Sequence, residues 1–244
     1  MIIEAGLTRY EQVNELIKKE LSTKNKVTVK DVNGQRYIGC ALDKGKKIEV
    51  HGTPGNDMAC YLNGGTVEVF GNCQDAVGNT MNGGEIIVHG HSGDAMGYGM
   101  RDGQIYIRDN VACRGGIHMK EFREMRPVLV IGKNAGSFLG EYMAGGTIVL
   151  LGLDMKRGEK LFGTHCASGM HGGKIFVRGN FPKDNLSPNI KVVSLDKQDE
   201  KELEGYVKKY CKYFGADKDK IMSKSFKKLV PATSRPYANL YISN

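Results

Sequence analysis

Residues 64–103 read GGTVEVFGNCQDAVGNTMNGGEIIVHGHSGDAMGYGMRDG, which is one pattern written twice. Each copy has a short alternating apolar run, a closing glycine, a polar stretch, and then an Asn-Gly-Gly or Asp-Gly turn. Working outward, the residue that closes the apolar run is Gly52, Gly71, Gly90, Asp109, Gly132, Gly152 and Gly179, at spacings of 19, 19, 19, 23, 20 and 27. A unit of about 19 residues therefore recurs, with two insertions.

Before each closing residue the side chains alternate with period two, as in a strand. The inward pairs read Ile48 and Val50, Val67 and Val69, Ile86 and Val88, Ile105 and Ile107, Val128 and Val130, Ile148 and Leu150, Ile175 and Val177. All are aliphatic and most are β-branched, as a packed pleated surface favours. A second column reads Leu62, Met81, Met100, Met143 and Met170. One such unit cannot bury its apolar face alone, but stacked copies form a continuous core. A propeller blade needs about 40 residues and four strands, so the expectation is an all-β core: a single-stranded right-handed parallel β-helix of about seven coils with flanking N- and C-terminal α-helices. Of the 33 glycines, 27 lie between residues 46 and 179, where corners favour left-handed backbone.

Helical spacing returns outside the repeat. Residues 8–21 predict a helix with Thr8 as N-cap and Glu11 completing a capping box, and residues 197–214 a helix stopped by Gly215. A short helix is expected over 218–229, DNLSP as a linker, and an irregular end from Pro231. The predicted organisation is a helical cap (1–25), a β-helix domain (26–180) and a helical extension (181–244). The outward column Glu49, Glu68, Ile87, Tyr106, Leu129, Val149, Phe176 changes from charged to apolar. The later coils should therefore be covered, by the C-terminal helices or by a partner touching Tyr106 and Leu129.

The net charge is +8. Residues 1–45 carry 8 basic and 6 acidic residues, 46–179 carry 14 and 13, and 180–244 carry 13 and 8. The excess sits in the C-terminal tail rather than on the repeat, which argues against a nucleic-acid-binding face. There is no signal-like start and no apolar run long enough to span a bilayer, so a cytoplasmic protein without membrane contact is expected. The six cysteines lie 13 to 53 residues apart, with neither zinc-site nor disulfide-framework spacing.

The coils "GGTVEVFGNCQDAVGNTMNGG", "GGEIIVHGHSGDAMGYGMRDG" and "GKNAGSFLGEYMAGGTIVLLG" resemble the GXGXG domain that ends the large subunit of glutamate synthase, over roughly residues 26–180. A more distant likeness is to the formylmethanofuran dehydrogenase subunit that is built on the same coil. The resemblance implies a non-catalytic β-helix that spaces a glutamine amidotransferase from an FMN and iron-sulphur synthase component. It also implies that no cofactor binds this chain, with FMN and the cluster carried by partners. The alternatives are a structural subunit of a formylmethanofuran dehydrogenase-like complex and a stand-alone enzyme with its own metal or nucleotide site.

Three stretches carry candidate chemistry. Gly97, Gly99 and Gly103 are one residue too long for the dinucleotide fingerprint and lack a βαβ context; the repeat accounts for them as corners. His165, Cys166, His171, Cys113 and His118 include metal-ligating types, and turn histidines with buried thiols are the plainer reading. Residues 111–127, VACRGGIHMKEFREMRP, read as an insertion in which Arg114, His118, Lys120, Arg123 and Arg126 form a basic loop. Such a loop is either solvated or a contact surface for an acidic partner; Arg114, His118 and Lys120 are the partner-contact candidates. Oligomeric state is left open.

Overall fold

A computed structural model describes residues 1–234. Its spine is one sheet of eleven strands, ordered β1-β2-β3-β4-β5-β6-β7-β8-β9-β11-β10. The strands are β1 (Ile2–Glu4), β2 (Lys26–Asn33), β3 (Lys47–Thr53), β4 (Asn63–Phe70), β5 (Asn82–Val88), β6 (Asp102–Ile107), β7 (Val128–Ile131), β8 (Ala144–Leu150), β9 (Gly172–Arg178), β10 (Ile190–Val193) and β11 (Phe226–Pro231). From β1 to β9 every pairing is parallel. Strands β2 to β9, each one turn after the last, wind a parallel β-solenoid, as the repeat requires.

The register corrects one strand of the sequence reading. Ile105 pairs with Leu129 and Ile107 with Ile131, so Leu129 and Ile131 point into the solenoid while Val128 and Val130 point out. Because Val128–Ile131 is aliphatic at all four positions, alternation carried no information there. The outward column is thus Glu49, Glu68, Ile87, Tyr106, Val130, Val149, Phe176. The true closing position is Lys133, not Gly132. The methionine column also gains Met119, fully buried between Met100 and Met143. Residues 111–120 are therefore regular coil, and the added residues form a small exposed excursion at 121–126, closed by a bridge between Phe122 and Met125.

Helix α1 (Tyr10–Thr23) closes one end of the core with Val13, Ile17 and Leu21. Its N-cap is Arg9, without a side-chain cap bond, so the capping box expected on Thr8 and Glu11 does not form. At its C-terminus the Lys46 ammonium donates to the carbonyls of Leu21 (2.8 Å) and Lys24 (2.9 Å), complementing the helix dipole.

Helix α2 (Lys197–Phe214) ends, as predicted, at Gly215 with φ 67°. It begins with a capping box between Asp196 and Asp199. Leu203, Val207 and Tyr210 lie on Tyr106, Val128, Val130, Val149 and Phe176, so the later outer face is covered by this chain itself. At about 1.5–3 kcal/mol for each large apolar side chain removed from water, this contact is a second core. The tight approach shows at Gly132, where an added Cβ would strike the Arg108 carbonyl and the Tyr210 hydroxyl; that hydroxyl donates to the same carbonyl at 2.9 Å.

Two further expectations fail in the C-terminal segment. The helix predicted over 218–229 stops as α3 (Lys218–Met222), and Phe226–Pro231 instead pairs antiparallel with β9 and β10. An open solenoid edge offers unpaired backbone groups, and satisfying them outweighs the weak helical spacing of Phe226 and Leu229. The linker DNLSP is also packed: Asn185 is 8% exposed and its amide donates to the Phe162 carbonyl at 3.1 Å. The rest of the stretch expected to be irregular, from residue 235 on, lies outside the described residues. No helix among the described residues is long and apolar enough to cross a membrane.

Candidate functional site

Between the strands, each coil passes through three alternate residues with left-handed backbone. Successive coils place there Asp57, Ala59, Tyr61; Ala76, Gly78, Thr80; Ala95, Gly97, Gly99; Arg114, Gly116, His118; Phe138, Gly140, Tyr142; and His165, Ala167, Gly169. The central member faces the core: a Cβ on Gly116 would sit 2.6 Å from Ile148 Cδ1. Apart from Gly99 and Gly169, the flanking members carry side chains outward despite a cost of roughly 1–2 kcal/mol each for left-handed backbone. Cross-coil bonding holds them there. The Gly116 amide donates back to Met96 O (2.7 Å), while those of Arg114 and His118 donate forward to Ser137 O and Glu141 O (both 2.9 Å).

This ribbon accounts for the Gly97 and Gly99 amides. They donate to Val77 O and Ile117 O, each at 2.8 Å, and are not available to cradle a phosphate. Gly103 is required for a different reason, since a Cβ there would strike Met81 Cε.

Stacking coils aligns the outward side chains into a ladder. The edge of Tyr98 meets His118 with centroids 5.7 Å apart, and His118 stacks on Tyr142 at 5.2 Å and 14°. Phe138 stacks on His165 at 4.9 Å and 16°. The Arg114 guanidinium lies 5.1 Å over Phe138, with its Nε 3.3 Å from Glu141 Oε2. The ladder faces solvent: Tyr98 is 42% exposed, Tyr142 37% and the Arg114 side chain 50%. Lys120, Arg123 and Arg126 are exposed as well, Arg123 over the Phe122 ring of the excursion.

Arg114 and His118 thus share one face, with Lys120 exposed two residues on; all three sit in regular coil and only the neighbouring excursion is inserted. Tyr106 and Leu129 do not join them. Tyr106 is fully buried beneath α2 with its ring edge-on to Tyr213, and Leu129 points into the solenoid core. Neither can touch a partner in this fold. Sequence reasoning missed Tyr98, Phe138 and Tyr142, whose alignment depends on knowing where the inserted residues fall.

The metal-ligating types are dispersed. His165 is exposed against Phe138, Cys166 is buried, and His171 Nδ1 is 3.0 Å from the Gly169 carbonyl. No group of three or more His, Cys, Asp or Glu residues is placed to hold a metal ion among the described residues. Burial pushes the Cys73 and Cys166 thiols well above their ordinary range, which disfavours a thiolate nucleophile at either.

The GXGXG motif family model matches residues 9–235. The chain belongs to the GXGXG motif family. The match takes in α1 and the C-terminal segment, beyond the 26–180 that the quoted coils span. A curated relative, an uncharacterised protein of Methanocaldococcus jannaschii, is 40% identical over 250 residues, covering 99% of this chain and 96% of its own. Among solved structures, a chain of the formyltransferase/hydrolase complex FhcABCD from Methylorubrum extorquens, determined with methylofuran, superposes with a TM-score of 0.65. It is 21% identical, covering 86% of this chain and 79% of that one, a likeness of fold.

Proposed function

We propose that this chain is a non-catalytic scaffold subunit of a glutamate synthase, holding a glutamine amidotransferase and an FMN and iron-sulphur synthase component at a fixed separation along its solenoid. The observation that carries the docking role is the exposed ladder of Tyr98, His118, Tyr142, Phe138 and His165 flanked by Arg114 and Lys120. Aromatic and arginine side chains on a stiff surface are favoured anchors for a partner, because little conformational entropy is lost on contact. The stacked coils provide the stiffness. Family membership and the quoted coils support glutamate synthase as the setting; the cofactors of that reaction would reside in the partners.

A second reading is a structural subunit of a formylmethanofuran-type complex, and it rests on the fold likeness to FhcABCD. Affinity purification of the full chain from its native host, with mass-spectrometric identification of its companions, separates the two. Recovery of an amidotransferase and an iron-sulphur flavoprotein is the expected result. Recovery of molybdenum or tungsten enzyme subunits, or of a formyltransferase, would replace the first reading with the second.

A further inference from the structure

Two cysteines occupy the same place in adjacent coils. Cys40 and Cys60 are 20 residues apart, which is one turn at this point of the solenoid, where Val32 also pairs with Gly52. They are locked side by side by flanking backbone bonds: the Ala59 amide donates to Ile38 O at 2.8 Å and the Ala41 amide to Cys60 O at 2.9 Å. Neighbouring chains in a ladder are about 4.8 Å apart, within the Cα separation of about 4.4–6.8 Å that a disulfide spans. Burial first, and then the adjoining Cys40 thiol, push the Cys60 thiol up, which keeps Cys60 from being the first nucleophile.

We propose that Cys40 and Cys60 form an oxidation site, in which a peroxide joins the first two coils by a disulfide. Accessibility assigns the order of events. Cys40 is exposed and lines a groove of about 530 Å³ between the first coil and α1, bordered by Asn14, Lys18, Tyr37 and Lys46, whereas Cys60 is buried beside it. The Cys40 thiolate attacks the peroxide; its S–O bond forms as the O–O bond breaks, and the released hydroxide is protonated to water. The Cys60 sulphur then attacks the sulfenic sulphur of Cys40, the S–O bond breaks, and the departing hydroxide carries off the Cys60 proton as a second water. Two thiols and one hydrogen peroxide thus yield one disulfide and two waters. The remaining cysteines are separate: Cys73 and Cys166 are buried in other columns, and Cys113 and Cys211 are only partly exposed. The bond would tie together the coils against which α1 packs, making the N-terminal cap the oxidant-sensitive end of the molecule.

The test uses the whole purified chain, reduced and then treated with stoichiometric hydrogen peroxide. Trypsin cleaves at Lys44, Lys46 and Lys47 between the two cysteines, so only a disulfide keeps their peptides together on non-reducing mass spectrometry. The expected result is one linked Cys40–Cys60 species, lighter by two hydrogens and abolished in Cys40→Ser and in Cys60→Ser. The free thiol count should fall from six to four. Dibromobimane, which fluoresces when it bridges two thiols, provides a second measurement on the reduced wild-type chain without any variant, and its label should map to the same two peptides. Intermolecular disulfides, Cys40 oxidised beyond sulfenic acid while Cys60 stays reduced, or equal consumption of Cys113 and Cys211 would overturn the proposal.

Discussion

The same strand position has opposite fates at the two ends of the solenoid. In β3 and β4 it holds Glu49 and Glu68, which lie on the outer face within a lattice of polar contacts: Lys26 to Glu49 at 2.7 Å, Lys47 to Glu68 at 2.8 Å, and His89 to Glu68 at 3.0 Å. In β8 and β9 it holds Val149 and Phe176, fully buried beneath α2. Nothing in the inward pairs distinguishes these coils. One residue per turn therefore decides whether an outer face stays solvated or collects a cover, and the repeat builds both surfaces on one backbone.

The widest separation between the two ends should come from exchanging their character. Val149→Asp would leave a charge without a partner under α2 and cost roughly 3–5 kcal/mol, whereas Glu68→Val, in the same column, should change stability by less than about 1 kcal/mol because Lys47 keeps Glu49 as a partner and the lost contacts are partly open to solvent. Urea unfolding of both variants measures the difference, and similar losses would break the comparison. Gly132→Ala is expected next, at about 1–3 kcal/mol from overpacking against the Arg108 carbonyl and the Tyr210 hydroxyl. The chain has no tryptophan, so near-ultraviolet circular dichroism of the tyrosines, three of which (Tyr206, Tyr210, Tyr213) lie on α2, reports whether the cover loosens.

A smaller effect depends on pH and again singles out the covered end. Burial alone would raise the Asp199 carboxyl, but bonds from Lys228, the Asp196 amide and Lys174 outweigh it and hold the group below its ordinary value of 3.8. A carboxyl depressed in the folded state contributes its full stabilisation above its unfolded value and loses it as the pH falls below that. The cover should therefore weaken below about pH 4, and Asp199→Asn should flatten that part of the acid unfolding curve. Smallest of all, Lys47→Ala on the bare end should cost no more than about 1 kcal/mol, and its effect should shrink further in high salt.

What the sequence disclosed follows the same division. Six of the seven inward pairs were legible because they stand at a fixed distance before the closing residue of their coil; the seventh failed at Val128–Ile131, where Gly132 stands one residue ahead of the true closing position and four aliphatic residues gave no alternation to correct it. Cover by α2 was foreseeable from Tyr106, Val149 and Phe176, and Gly215 marked its end. Strand β11 was not, because Phe226–Pro231 takes its conformation from the open edge of β9 rather than from its own spacing. At the candidate site, Arg114, His118 and Lys120 were visible as charges, but the ladder was hidden. Its rungs depend on register across an inserted excursion, and on left-handed backbone at residues such as Arg114, Phe138 and His118 that sequence logic reserves for glycine.

The central claim is that this ladder docks a partner, and paired purifications from the native host test it most directly. Wild-type chain is compared with a His118→Asn, Lys120→Glu variant. Asparagine tolerates the left-handed backbone at residue 118, so the ring and the charge are removed while the coil is kept, as unchanged urea unfolding would verify. The expected result is that amidotransferase and flavoprotein companions are recovered with the wild-type chain and reduced at least tenfold with the variant, a difference of about 1.4 kcal/mol in binding. Equal recovery of the same companions by a folded variant would contradict it.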